Sequence, residues 1–268
     1  MFKFFFVYLF LFSTLCCGAA APEREIAITI DDLPLVASKM GTPAERERSE
    51  ERFTSIVQNF IKYKVPVTGF VIAGAIEKGQ WAFLQQFINA GFSLGNHTYS
   101  HYNLNTMSAE KYIADIDKAD KILAPILSNP KYFRYPYLAE GNRKTKAKVL
   151  NYLHEHNYIV APVTIDSRDF AYNETIYKVP FRSRENYIQK LKPKYLAYIW
   201  QQTLKAEQNA GHLGYKQILL IHANLLNSYV LGDILEMYQQ KGYKFISLTD
   251  ALKNPAPVLT FPAPPETN

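Results

Sequence analysis

Ile26-Ala27-Ile28-Thr29-Ile30-Asp31-Asp32 is the stretch whose reading decides the fold. Apolar and β-branched residues run up to two carboxylates, and Leu33-Pro34 follows. That is a buried strand ending in a loop. Adjacent carboxylates at the mouth of a buried strand are unfavourable, because each raises the pKa of the other and burial raises both. A structural use is open, with Asp32 capping the next turn and Asp31 paired to an arginine. The functional use is that one Asp binds a metal and the other works beside it. It requires partners elsewhere in the chain.

Outward from this strand the pattern alternates. A helix is predicted over Pro43–Lys64, with Phe53, Ile56, Val57, Phe60 and Ile61 at helical spacing. Strand Val67–Ala73, helix Trp81–Ala90 ending at Gly91, and a short strand Phe92–Leu94 follow. Helix Ala109–Leu127 has Ser108 as N-cap and Pro130 beyond. Strand Tyr132–Phe133, helix Lys144–His156 and strand Ile159–Ile165 come next. A long, mostly helical stretch then leads to strand Gln217–Ile221, helix Val230–Lys241 and strand Lys244–Ser247. Such alternation predicts a parallel sheet with helices outside, either a barrel or a doubly wound sheet. Asp31-Asp32, His97, Arg134, Asp166–Asp169 and His222 each follow a strand. In a barrel those ends meet on one rim, whereas an open sheet would spread them across its width, so the barrel is favoured.

The ends of the chain speak to location. Met1-Phe2-Lys3, a nearly all-apolar run Phe4–Leu15 and small residues to Ala21 have the pattern of a secretory signal peptide, residues 1–20. The run is too short to span a membrane comfortably, and cleavage is expected after Ala19 or Ala20. Ser13-Thr14-Leu15 fits a lipoprotein signal at Cys16 or Cys17 poorly. The chain is therefore expected to be periplasmic or secreted, with no membrane span once the leader is removed. Both cysteines lie in the leader, so the mature chain has no disulfide and no thiolate metal site. The remaining residues, about 245, suffice for one large domain, expected over 21–253. A proline-rich tail, 254–268, follows. Net charge is +6, one less without Lys3, and basic residues often neighbour acids, as in Glu45-Arg46-Glu47-Arg48. That is a solvated helix face and not a nucleic-acid stripe. It supports at most a weak attraction to anionic surfaces or polymers.

His97-Thr98-Tyr99-Ser100-His101 is the second decisive stretch. Histidines four apart are expected on one face of a helical turn, where both imidazoles reach one ion. With one Asp they make a two-His, one-carboxylate set that leaves positions for water and substrate. His154 and His156 read as surface residues, and His212 stays unassigned.

These residues carry a resemblance. Thr29-Ile30-Asp31-Asp32 resembles the first motif of the polysaccharide deacetylases, carbohydrate esterase family 4, with its NodB-type domain. His97–His101 is similar to the second motif, His-(Ser/Thr)-x-x-His. Arg134-Tyr135-Pro136-Tyr137 is similar to the third, Arg-x-Pro-Tyr. Asp166-Ser167-Arg168-Asp169-Phe170 resembles the fourth, with Phe170 where the family usually has Trp. Leu220-Ile221-His222 is similar to the fifth. The five occur in family order.

The resemblance implies an α/β fold, a distorted, incomplete (β/α) barrel in a single domain, and removal of acetyl groups from N-acetylated amino sugars. It implies one divalent metal ion, zinc or a substitute such as cobalt, on Asp32, His97 and His101. Asp31 is implied as general base with Arg134 in support, and His222 as general acid oriented by Asp169. The backbone N–H of Tyr137 is implied for the oxyanion and Leu220 for the acetyl methyl, with Phe170 as an aromatic wall. Bland uses stand beside these: Arg134 in an ordinary salt bridge, Asp169 as a helix cap, Leu220 and His222 as core. Two other functions stay open, a deacylase acting on a small non-sugar amide and a carbohydrate-binding protein without turnover. Segment 171–216, rich in Tyr, Lys and Arg, reads equally as a lid or a packed helix. Oligomeric state and the particular polymer are not legible.

Overall fold

Strand β1, Arg24–Leu33, is buried from Ile26 through Asp31, which is why its apolar run is unbroken. The computed structural model describes residues 23–211 and 214–259; the expected leader, His212 and most of the expected tail, from residue 260, lie outside them. Around β1 the chain lays down α1 (Pro43–Lys62), β2 (Thr68–Val71), α2 (Trp81–Asn89), β3 (Ser93–Asn96), α3 (Ala109–Leu123) and β4 (Lys131–Phe133). Then come α4 (Arg143–Glu155), β5 (Tyr158–Val160), β6 (Ile165–Asp166), α5 (Asp169–Tyr177) and α6 (Arg184–Asn209). β7 (Gln217–His222), α7 (Leu225–Gln240), β8 (Tyr243–Phe245) and α8 (Leu248–Ala251) complete it. All pairings are parallel, in the order β5-β4-β3-β2-β1-β7-β6, with β8 on the first residues of β1. β5 and β6 are the two unpaired ends, so the barrel is incomplete, as expected.

The expected strand Ile159–Ile165 is in fact two strands. Ala161 N–H still donates to Phe133 O of β4 (2.8 Å), while Thr164 N–H donates to Ile218 O of β7 (3.0 Å). Pro162 between them has no N–H and cannot continue a ladder. The chain uses that break to step across the open seam. Along the seam, Leu259 N–H donates to Val163 O (2.8 Å), and Ala256 N–H to Lys216 O (2.9 Å). The described part of the tail thus runs extended against the barrel. Helix α7 begins at Leu225, five residues before the expected start, because the Asn224 side chain caps it by accepting from Asn227 N–H (2.9 Å). Segment 171–216 resolves into α5, a short turn and α6, whose Ile188, Tyr195 and Ile199 are buried in the main core. Among the described residues no helix is long and apolar enough to cross a membrane.

Candidate metal centre and active site

At Asp31-Asp32 the register of β1 against β2 shifts between Ile30 and Leu33, and Asp32 takes φ +62°. In a regular strand neighbouring side chains point to opposite faces. The left-handed residue in this bulge overrides that alternation, so both carboxylates reach the same imidazole. His97 Nε2 lies 3.5 Å from Asp32 Oδ1 and 3.8 Å from Asp31 Oδ2. His101 Nε2 lies 3.2 Å from Asp32 Oδ1.

The histidines are not on a helical turn. After β3 the chain bends through left-handed Thr98 (φ +66°) and His101 (φ +55°). The bend is held from outside: Asn96 Oδ1 accepts from Thr98 N–H (2.7 Å), and Asp115 Oδ2 on α3 accepts from Tyr99 N–H (3.1 Å) and Ser100 N–H (2.9 Å). Thr98 Oγ1 accepts from His101 N–H (3.0 Å). Gly74 makes room, since a Cβ there would stand 2.5 Å from Tyr99 O. Nothing in the local sequence marks Asp115, and Asn96 is marked only by following Gly95 near a strand end.

The donor set fits a divalent ion. His97 Nδ1 donates to the backbone carbonyl of Arg134 (2.8 Å), which leaves the Nε2 lone pair facing the carboxylates. Burial holds the His97 pKa down to about 3, so the ring is neutral, as a ligand must be. Asp32 Oδ1 is buried yet makes no hydrogen bond. Burial raises the Asp32 pKa, but His101, His222 and His97 outweigh it and hold the carboxyl well below the usual range. Tetrahedral ligation at zinc distances sets donor atoms roughly 3.3–3.4 Å apart. The 3.5 and 3.2 Å separations bracket that spacing, and the three donor atoms lie within 4.8 Å of one another.

Beneath this cluster Arg134 is 1% exposed. Its Nε donates to Ala161 O (2.7 Å), and Nη2 to Thr29 Oγ1 (3.1 Å) and Pro162 O (3.3 Å), so it ties the seam to β1. Nη1 lies 3.5 Å from Asp31 Oδ2. The arginine expected either as support for Asp31 or as a plain ion pair is therefore at Asp31. Burial raises the Asp31 pKa to about 6, with Arg134 and His222 pulling it back. A cavity of about 520 Å³ lies behind Arg134 at the seam, lined by Leu138, Leu150 and Val163. None of the three candidate metal ligands lines it.

Across the site, β7 pairs Asp31 with His222 in register. His222 Nδ1 donates to Asp169 Oδ1 (2.6 Å), and its backbone N–H donates to Asp169 Oδ2 (2.6 Å). Asn224 Nδ2 (3.0 Å) and Asn227 Nδ2 donate to that same oxygen. These two asparagines were not anticipated. Burial disfavours the His222 imidazolium, but Asp169 overrides it and raises the pKa to about 10. Asp169 stands in the first turn of α5, but Arg168 holds the N-cap position and no side chain caps the helix, so the expected cap use is not seen: the Asp169 carboxylate turns to His222 and the two asparagines instead.

The rim is aromatic. The Tyr137 ring is exposed, 4.6 Å from that of His101, on a left-handed residue (φ +57°). Phe170, also exposed, meets His222 edge-on at 6.0 Å. Leu220 is buried between Thr29 and Asp166, two residues before His222 and so on the same strand face. His154 and His156 are exposed on and beyond the last turn of α4, away from this site.

The family profile described as polysaccharide deacetylase matches residues 18–160. A peptidoglycan-N-acetylglucosamine deacetylase of Bacillus cereus is 27% identical over 150 residues, 55% of this chain and 47% of that protein. A chitin deacetylase of Arthroderma benhamiae is 31% identical over 91 residues, 33% of this chain and 23% of that one. The chain spans less than half the length of these curated relatives. Among solved structures, the chitin deacetylase of Colletotrichum lindemuthianum superposes with a TM-score of 0.58 at 19% identity, over 87% of this chain and 89% of that one. A CE4 family pseudoenzyme of Bacillus anthracis does so at 0.58 and 18%, over 86% and 66%. These two share the fold.

Proposed function

This chain belongs to the polysaccharide deacetylase family, and on that premise we propose that it is an exported, metal-dependent N-deacetylase of N-acetylated amino-sugar polymers. The observation that carries the reading is the facing of two halves on one rim: Asp31 and Asp32 with two imidazoles on one side, the His222–Asp169 pair on the other. The relatives named for peptidoglycan and chitin support the substrate class. The leader pattern of residues 1–20 supports export, with the domain following it and the proline-rich tail after residue 253.

In this proposal Asp32, His97 and His101 hold the ion. Zinc, or cobalt in its stead, supplies Lewis acidity there, polarising the amide carbonyl and making water a stronger acid. Asp31 takes the proton of the attacking water, with the Arg134 guanidinium beside it. His222, its Nδ1–H donated to Asp169, delivers a proton from Nε2 to the departing amine. Without that proton the amine is too basic to leave. Asp169 keeps the imidazolium charged and aimed. The Tyr137 backbone N–H donates to the developing oxyanion. Leu220 and Phe170 border the acetyl methyl.

A family pseudoenzyme with this fold shows that the barrel alone does not make an enzyme. The complete set of acid, base and metal-ligand residues favours turnover here. The test is acetate release from N-acetylglucosamine oligomers and peptidoglycan strands, with zinc or cobalt added, followed by mass spectrometry for acetyl loss. Acetate from a small non-sugar amide alone would favour the deacylase reading. Glycan binding with no acetate from any substrate would favour the binding protein.

A further inference from the structure

On the outer flank of the same rim, two clefts of about 650 and 360 Å³ share a wall made by Arg48, Arg52, Phe181 and Arg184. Three segments that leave the site build them. The loop after Asp32 and the first half of α1 form one side, the turn between α5 and α6 a second, and the first turn of α7 after His222 the third. Phe181 is 60% exposed, and two guanidinium groups lie near its ring, Arg48 Cζ at 5.9 Å and Arg184 Cζ at 5.7 Å from the centroid. Arg184 also lies 4.8 Å over Tyr177. Tyr229 is 43% exposed on the α7 side.

The charge here is not the balanced face that the local sequence suggests. Lys39, Arg48, Arg52, Arg182 and Arg184 line the clefts against Glu45, Glu51 and Glu185. Glu45 is held in the Thr42 capping box. Among the described residues none of the five cations makes an ion pair. Elsewhere on the surface, lysines pair with neighbouring acids, as Lys121 with Asp117 and Lys178 with Glu174. Unpaired guanidinium groups in a concave site concentrate anions, and their planar forks match carboxylates. An exposed aromatic ring beside them offers a flat platform to a sugar ring, and its contact with the cations holds them in orientation.

We infer that these joined clefts bind a carboxylate-bearing glycan strand, its carboxylates on Arg48, Arg52 and Arg184 and a sugar face on Phe181. The inference rests on the N-deacetylase reading for its polymer class: a strand presented at His222 continues over the first turn of α7. Hydrolysis of each N-acetyl group releases acetate and leaves an ammonium on the strand. The polymer's net negative charge falls with every turnover, and with it the attraction of this cationic surface. Acetylated strand is held and deacetylated product is released.

The test compares two soluble hexasaccharides on the full-length protein by calorimetry. One is hyaluronan, alternating N-acetylglucosamine with glucuronate; the other is the neutral N-acetylglucosamine hexamer. At low salt the wild type should bind the carboxylated probe about tenfold more tightly, the difference expected of a few exposed charge pairs, and the preference should shrink at high salt. Arg48→Glu with Arg52→Glu should abolish the preference, and Phe181→Ala should weaken both probes. Arg182→Glu, at an exposed turn that lines the larger cleft, gives a second variant and should reduce the preference. Equal binding of the two probes by the wild type, or a preference untouched in the arginine variants, would overturn the inference. Tighter binding of a DNA dodecamer than of the carboxylated glycan would overturn the glycan assignment. Failure of the deacetylase reading is distinguishable: it appears as no acetate from any substrate while the binding preference persists.

Discussion

The two halves of the site are built in opposite ways. On the β1–β3 side, Asp31 Oδ1, Asp32 Oδ1 and Arg134 Nη1 are buried without a hydrogen-bond partner. On the β7–α5 side, both oxygens of Asp169 are engaged, one by the His222 ring and the other by three donors. A buried polar atom left unpaired costs on the order of 1–3 kcal/mol. A fold keeps such atoms where a ligand or a reaction uses them. The first half is therefore arranged to accept something, and the second to hold the His222 ring in one orientation. Variants in the two halves should fail differently.

The largest effect should come from the ligand set. Chelation should abolish activity, and zinc or cobalt should restore it. Saturating zinc should raise the melting temperature, because a ligand bound only by the folded state stabilises it, by about 2.7 kcal/mol at 100-fold excess over Kd. His97→Ala should lose the bound metal, the thermal shift and the activity together. Asp169→Asn should keep the zinc-induced shift. An elemental analysis showing full occupancy in His97→Ala would remove that residue from the site.

Next come base and acid. Asp31→Asn should lower turnover by roughly 10²–10⁴ with metal still bound. His222→Ala should do the same on an N-acetyl sugar. On an activated acetate ester, whose leaving group needs no proton, His222→Ala should recover most of its rate while Asp31→Asn should not. Equal losses on both substrates would sink the division of labour.

A smaller effect separates the two limbs of the pH profile. Asp31 must be ionised, so activity should fall as pH drops through its pKa, about 6 in the metal-free protein and lower beside a bound cation. His222 must be protonated, so activity should fall as pH rises through a pKa that Asp169 holds near 10. Asp169→Asn removes the anion that favours the imidazolium. Its upper limb should move to lower pH, toward the ordinary histidine value, and its lower limb should stay. The smallest effect is expected of Asn227→Ala, which removes one of the three donors on Asp169 Oδ2. It should destabilise the fold by about 1–3 kcal/mol in a denaturant titration and leave metal binding unchanged.

Much of this is legible in the sequence. Strand periodicity located β1, and polar residues after successive strands pointed to a single rim, because a parallel barrel brings the carboxyl ends of its strands together. Asp31, Asp32, His97 and His101 stand out by local pattern, whereas Arg134, Asp169 and His222 stand out only through the resemblance to the family's motifs in their order. Pro162 could have flagged the break between β5 and β6, since proline lacks the N–H that a ladder needs.

The sequence by itself determined the alternation of strands and helices and the chemical types at the strand ends, since both depend on near neighbours in the chain. Only the tertiary structure decided how those side chains face one another. The left-handed bulge at Asp32, which turns adjacent carboxylates to one side, is seen only where β1 pairs with β2. The bend that brings His97 and His101 together is tied down by Asp115, on another element. The four hydrogen bonds on the Asp169 carboxylate come from residues 53 to 58 positions away. The arginines around Phe181 line the same clefts as the glutamates that neighbour them in the chain, yet among the described residues they form no ion pair with them. Hydrogen bonds and ion pairs act over a few ångströms of space, and separation along the chain does not report that distance.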